Sequence, residues 1–188
     1  MRGVSKAHAD RNERDFYATP DRLAYEIVAR IDPLCLPVPS RVLDPCAGAG
    51  VFQNAAILRW PGATVDAVDL SPGPGIVQAD FLRYENAEPY DLIVGNPPYL
   101  LAEEFVRHAL TLVREGGRVA YLLRVSFIGG QRRAVLYGEH PLRMLFPIIP
   151  RPGFTPDGKT DASEYALFVW ERGFNGVGEI RPAIRWQR

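Results

Sequence analysis

The chain has 188 residues, 47% of them hydrophobic, and 22 Lys/Arg balance 22 Asp/Glu. That length predicts one domain with a sizeable core, and the composition excludes wholesale disorder. No run approaches the ~18 uncharged apolar residues that cross a bilayer, no apolar signal core opens the chain, and only Cys35 and Cys46 could form a disulfide. A cytoplasmic protein without a membrane partner is expected.

Residues 1–15 are polar, charged and aperiodic, so they are expected to form a flexible arm, with 16–188 as a single domain. Order is expected to begin at Phe16-Tyr17-Ala18-Thr19-Pro20. Thr19 as N-cap and Pro20 at the first helical position predict a helix through about Arg30, burying Leu23, Ile27 and Val28. The stretch from Pro33 to Pro39 ends it. Alternating elements follow: a strand over 41–44, a glycine turn, a helix over about 51–59, then strands over 64–70, 76–79 and 90–94. A helix over about 101–114, ended by Gly116 and Gly117, leads into a strand over 118–125. This order predicts an α/β, Rossmann-like sheet, mostly parallel. Segments 143–149 and 164–171 predict two more strands that would supply an antiparallel edge. Between Asp69 and Ile76 the six residues Leu70 to Gly75 are too few, and too rich in Pro and Gly, for the usual crossover helix. A reduced crossover is expected there.

The zero net charge hides an asymmetry. Residues 1–117 carry 11 Lys/Arg against 16 Asp/Glu, and residues 118–188 carry 11 against 6. The second half is therefore suited to an anion such as nucleic acid. Twenty of the 22 basic residues are Arg, which suits bidentate phosphate contacts, though a GC-rich genome writes the same bias.

Asp44-Pro45-Cys46-Ala47-Gly48-Ala49-Gly50 lies where the first strand hands over to a helix. Glycines there admit a ligand close to the backbone, and a helix N-terminus offers free N–H groups; a plain turn with Asp44 as a cap is the bland alternative. A dinucleotide fingerprint would want glycine where Gln53 stands. Asp69, at the end of the second strand, can accept hydrogen bonds from both hydroxyls of a ribose, with Asp66 the weaker choice. Asp80 and Phe81 end the third strand, where a carboxylate can accept an exocyclic amine and an aromatic ring can cover a base. Asn96-Pro97-Pro98-Tyr99 ends the fourth strand. The prolines fix the backbone, so the Asn96 side-chain oxygen and the Pro97 carbonyl become two acceptors for one amine. Tyr99 offers a stacking surface worth ~1–3 kcal/mol to a nucleobase.

The glycine turn followed by Asn-Pro-Pro-Tyr resembles the S-adenosylmethionine-dependent N6-adenine DNA methyltransferases. Phe16 to Pro20 is similar to their N-terminal motif X, and the order of motifs is that of the gamma arrangement. The segment Lys159 to Trp170 looks like the end of small phage and prophage forms. The resemblance, from Phe16 to Trp170, implies a class I methyltransferase sheet and S-adenosylmethionine as cofactor. It gives Asp44, Ala47, Gly48 and Gly50 to the methionine moiety and Asp69 to the ribose. It gives Asp80 and Phe81 to the adenine, and Phe16, Thr19 and Pro20 to the carboxylate end. Asn96, Pro97, Pro98 and Tyr99 would hold the flipped target adenine, with transfer to its N6. Cys46 is read as packing filler in the cofactor loop, not as a nucleophile, and no metal is expected.

Such enzymes usually add a target-recognition domain, for which no obvious segment remains. Low or short sequence specificity is expected, or else a separate specificity partner. Arg132, Arg133, Arg151 and Lys159 are the expected phosphate contacts on duplex DNA. Phe127 is either a second wall of the base pocket or loop packing. The rival readings are N6 methylation of RNA, methylation of a protein glutamine, and a non-catalytic cofactor-fold module acting with a partner. N4-cytosine methylation would more typically show Ser at position 96.

Overall fold

The computed structural model describes residues 18–31, 37–154, 160 and 162–187. Phe16, Lys159 and the 1–15 arm lie outside the described residues, as does the side chain of Arg132.

The first helix, α1 (Asp21–Ile31), buries Leu23, Ala24, Ile27, Val28 and Ile31, a single stripe of 3.6-residue periodicity. It starts one residue later than the N-cap reading of Thr19 requires. The Pro20 carbonyl receives the N–H groups of Leu23 and Ala24, and the Thr19 side chain is committed elsewhere. The chain continues through β1 (Arg41–Asp44), α2 (Val51–Arg59), β2 (Thr64–Asp69), β3 (Val77–Gln78) and β4 (Tyr90–Gly95). Then come α3 (Ala102–Leu112), β5 (Val113–Arg124), α4 (Ala134–Glu139), β6 (Met144–Ile149), β7 (Tyr165–Glu171), β8 (Glu179–Ile180) and β9 (Ile184–Arg185).

These strands form one sheet in the order β3-β2-β1-β4-β5-β7-β6-β8, with β9 also pairing β6. Every strand runs in one direction except β7, which is antiparallel to both β5 and β6. The sheet is mostly parallel, as expected, but its antiparallel strand is flanked on both sides. The short strands β8 and β9, too brief to leave a periodic signal, lie outside β6. Between β2 and β3 the described chain has no crossover helix, in line with the Pro/Gly composition of 70–76.

Two layers of apolar side chains cover the sheet. Val42, Leu92, Val94, Ala120 and Leu122 pack with α1 and α2 on one face, while Leu43, Ile93, Val119, Tyr121 and Leu123 pack with α3 on the other. Consecutive residues alternate between the layers because side chains alternate along a strand. All of Tyr165 to Trp170 in β7 is buried, as a strand covered on both faces requires. Helix α3 stops at Leu112, short of the glycines. Val113 is fully buried and pairs with Tyr90, so the backbone becomes extended there. Gly116, at φ 73°, and Gly117 make a bulge within β5 instead of ending the helix. A Cβ on Gly117 would stand 2.8 Å from the Arg114 carbonyl oxygen.

Candidate functional site

Parallel strands deliver their C-terminal ends to one edge of the sheet, and that edge collects Asp44, Asp69, Asn96 and Arg124 from β1, β2, β4 and β5. The glycine turn after β1 is closed by one hydrogen bond of its own and held by two from other segments. The Ala47 N–H donates to the Val68 carbonyl at 3.1 Å, the Gly50 N–H to the Ala47 carbonyl at 2.7 Å, and the Gly73 N–H to the Gly48 carbonyl at 3.0 Å. Gly48 and Gly50 take φ of 53° and 81°, the left-handed region in which glycine carries no steric cost. The short 70–76 loop therefore braces the turn directly, in place of the missing helix.

Asp44 is 1% exposed. Its carboxylate accepts from the backbone N–H of Gln53 at 3.2 Å and of Cys46 at 3.5 Å, so it caps the first turn of α2 from the strand before it. Burial pushes its pKa up to about 7; the two N–H donors oppose the rise and the neighbouring Asp69 adds to it. A buried carboxylate poised this way gains from a cationic ligand. Asp69 accepts from the N–H of Gly48 at 2.9 Å through one oxygen and of Ser71 at 2.8 Å through the other, which fixes its carboxylate at the rim of the turn. Leu70, immediately after it, is 46% exposed, and Ile76 lies against Gly50. These two apolar groups, one adjoining Asp69 and one against the glycine turn, carry no local signal in the sequence.

Asp80 caps the short 3-10 turn Phe81–Arg83 by accepting from the Leu82 N–H at 3.1 Å. The Phe81 ring is buried against Phe105 and His108, with centroids at 4.9 and 5.0 Å. Of this pair it is Asp80 that reaches solvent.

Gly95 carries β4 past the Asp44 loop. A Cβ there would meet Asp44 Oδ1 at 3.1 Å, Pro45 Cδ at 3.2 Å and Cys46 Sγ at 3.4 Å. Asn96 follows, and its side-chain Nδ2 donates to Thr19 Oγ1 at 3.1 Å. Its backbone N–H donates to Cys46 Sγ; burial first, then the nearby carboxylates, push that thiol well up, which leaves it a poor nucleophile. Pro97 is buried, and the Pro98 carbonyl accepts from Leu101 N–H at 2.9 Å, opening the turn Tyr99–Leu101. The Tyr99 ring lies 5.9 Å from that of Tyr165, and the Arg124 guanidinium sits 5.0 Å from the Tyr99 centroid. Arg124 went unremarked in the sequence, although an arginine closing the apolar run Val119–Leu123 is the available signal.

Phe127 takes the loop-packing option. It is 4% exposed and meets Tyr137, Phe168 and Trp170 edge-on. Arg133 stacks on that ring at 4.2 Å and donates to the Phe127 carbonyl at 3.0 Å. Arg151 is paired with Glu164 through a 2.8 Å hydrogen bond. Arg132 falls in the 3-10 turn Gln131–Arg133. All three lie on loops that leave the Asn96 edge of the sheet. Among the described residues no helix is long and apolar enough to cross a membrane.

No protein-family model matches the chain. The type II methyltransferase M.TthHB8I of Thermus thermophilus is 38% identical over 87 residues, 42% of this chain and 20% of the relative. The ribosomal protein uL3 glutamine methyltransferase of Bradyrhizobium diazoefficiens is 39% identical over 80 residues, covering 34% and 25%. A tRNA1(Val) (adenine(37)-N6)-methyltransferase of Aliivibrio fischeri is 26% identical over 123 residues, covering 46% and 53%. The chain thus spans from a fifth to about half of the length of these curated relatives. Among solved structures, a Listeria monocytogenes protein assigned to the class I S-adenosylmethionine-dependent methyltransferases superposes with a TM-score of 0.69 at 13% identity. That match covers 97% of this chain and 68% of the other. A Vibrio vulnificus protein described as a modification subunit of a type I restriction enzyme gives 0.65 at 17% identity, covering 94% and 50%. The chain has the fold of the class I S-adenosylmethionine-dependent methyltransferases.

Proposed function

We propose that this chain is an S-adenosylmethionine-dependent methyltransferase acting on N6 of adenine in DNA. The observation that carries the reading is the seating of Gly95 directly against the Asp44 loop, so close that a Cβ there would have to push Asp44, Pro45 or Cys46 aside. A cofactor lying on the glycine turn and an amine held by Asn96 then meet at one place. The donor set fits the cofactor. Asp44 and Asp69 supply negative charge for a cationic ligand, the turn brings backbone close, Leu70 is an exposed apolar residue next to Asp69 in the chain, and Ile76 is an apolar side chain against Gly50.

When bound, S-adenosylmethionine supplies a methyl group made electrophilic by its sulfonium. The protein's own part is positioning and stabilisation of developing charge. The lone pair of an aromatic amine is delocalised into its ring. Two acceptors on its hydrogens, the Asn96 side-chain oxygen and the Pro97 carbonyl, favour the tetrahedral geometry that frees that lone pair. Tyr99 stacks the base, and a duplex target has to be flipped out at a cost of a few kcal/mol. DNA is the preferred polymer because the basic second half supplies the loops at this edge, including Arg133 and Arg151, and because one relative is named as a type II methyltransferase. The test is Asn96→Ala. It is expected to bind the cofactor as the wild type does and to transfer methyl to DNA at least 100-fold more slowly. Retention of the full biological effect by Asn96→Ala would instead favour a non-catalytic module.

The likeness to a glutamine methyltransferase favours a second reading, in which the planar group on Tyr99 is a protein side-chain amide. Transfer to protein and not to DNA would select it.

A further inference from the structure

Asn96 is anchored at two points contributed by segments far from it in the chain. Its Nδ2 donates to Thr19 Oγ1, 77 positions away, at 3.1 Å, and its backbone N–H donates to the Cys46 thiol. Thr19 is 8% exposed, one of two buried polar residues of the described chain, the other being Asp44. It stands just ahead of α1, whose apolar stripe is locked into the core, so its hydroxyl is held by a rigid element.

The two ends of a side-chain amide are chemically opposite, one accepting and one donating. For an amine to be bound, the oxygen must face it; a flipped amide sets donor against donor. The backbone anchor at Cys46 fixes where Asn96 sits but leaves the amide flip open. A hydroxyl can donate as well as accept, so it is the arrangement found here, Nδ2 directed at Thr19 Oγ1, that turns the oxygen away from Thr19. We propose that Thr19 is a positioning residue for the transfer step, holding the Asn96 amide in the orientation that presents its oxygen to the target amine. This rests on the methyl-transfer reading above and assigns Thr19 a task distinct from holding the cofactor.

The test compares Thr19→Val, which keeps the shape and removes the acceptor, with Thr19→Ser, which keeps the acceptor. Thr19→Val is expected to lower kcat for methyl transfer by roughly 10- to 100-fold, with the cofactor Kd, measured by calorimetry, within about threefold of wild type. Thr19→Ser is expected to restore kcat to within about threefold. The Asn96 side-chain NH₂ resonances, identified by their loss in Asn96→Ala, are expected to shift in Thr19→Val and stay in place in Thr19→Ser. A weakened cofactor Kd with unchanged kcat, or NH₂ resonances indifferent to Thr19→Val, would overturn the proposal. An inactive wild type would count against the reaction reading alone, since the resonances judge the Thr19 contact without turnover.

Discussion

Gly95 brings β4 so near Asp44 that a Cβ at position 95 would stand 3.1 Å from the Asp44 Oδ1 atom. The strand that carries Asn96 and the turn that follows β1 are thus one packed unit, and a change at either is felt at both. Gly95→Ala is expected to cost about 1–3 kcal/mol of stability and to weaken cofactor binding along with transfer, because the added methyl displaces Asp44, Pro45 or Cys46. Denaturant melts paired with calorimetric titration of the cofactor check this; an unaltered cofactor Kd would refute it.

Asp44 provides the pH dependence. Its carboxyl, pushed up to about 7 by burial, is half protonated near neutral pH in the ligand-free protein. A cationic cofactor favours the ionised form, so affinity is expected to rise with pH toward about 7 and to flatten above it, with net proton release in the lower range. Calorimetry in buffers of different ionisation enthalpy reads that proton directly.

The same group sets a stability trade. Its folded pKa lies above its unfolded value of 3.8. Its contribution is therefore fully present below about pH 4 and is lost as pH rises through about 7. Asp44→Asn is expected to lack that loss, becoming more stable than wild type by about 1–3 kcal/mol at pH 8 while binding cofactor poorly. Equal melting temperatures of the two proteins across pH 5–8 would contradict this.

The register partner of Gly95 on the neighbouring strand β5 is Tyr121, fully buried, with a hydroxyl that has no hydrogen-bond partner among the described residues. Removing such a group relieves a desolvation penalty, so Tyr121→Phe is expected to be neutral or stabilising by up to about 1 kcal/mol. A loss larger than that in a urea melt would show that the hydroxyl is satisfied in solution.

At the opposite end of the sheet Asp91 braces the start of β1. Burial pushes its pKa up, but hydrogen bonds from Arg114, Arg41 and Ser40 outweigh it and leave the carboxyl at about 2. Those hydrogen bonds contribute stability above about pH 4 that is lost as the pH falls through about 2. Asp91→Asn is expected to cost about 1–2 kcal/mol at neutral pH and well under half of that near pH 2, by chemical melts at both values.

Most of this architecture is legible in the chain. Val42-Leu43 and Leu92-Ile93 read as buried strands because both members of each pair are apolar, as a two-sided sheet demands. Helix α2 is found over the residues its glycine start dictates. Other features depend on tertiary contacts that no local pattern encodes. Thr19 has the composition of an N-cap, yet its hydroxyl is drawn to Asn96, and the helix starts at Asp21. Gly116 and Gly117 have the composition of a helix stop, but the buried pairing of Val113 with Tyr90 ends α3 earlier. Phe81 offers an aromatic face to a base and Phe127 reads equally as pocket wall or loop packing; both rings are buried in the core. The Arg124 contact leaves no local signal because its cation reaches the Tyr99 ring from the end of β5 to the turn after β4.

Labelled methyl transfer from S-adenosylmethionine to plasmid DNA by the purified chain, followed by nucleoside analysis of the product, tests the central claim most directly. The account predicts N6-methyladenine spread over many sequence contexts, absent with Asn96→Ala. Label confined to cytosine, or label on RNA or protein with none on DNA, would contradict it.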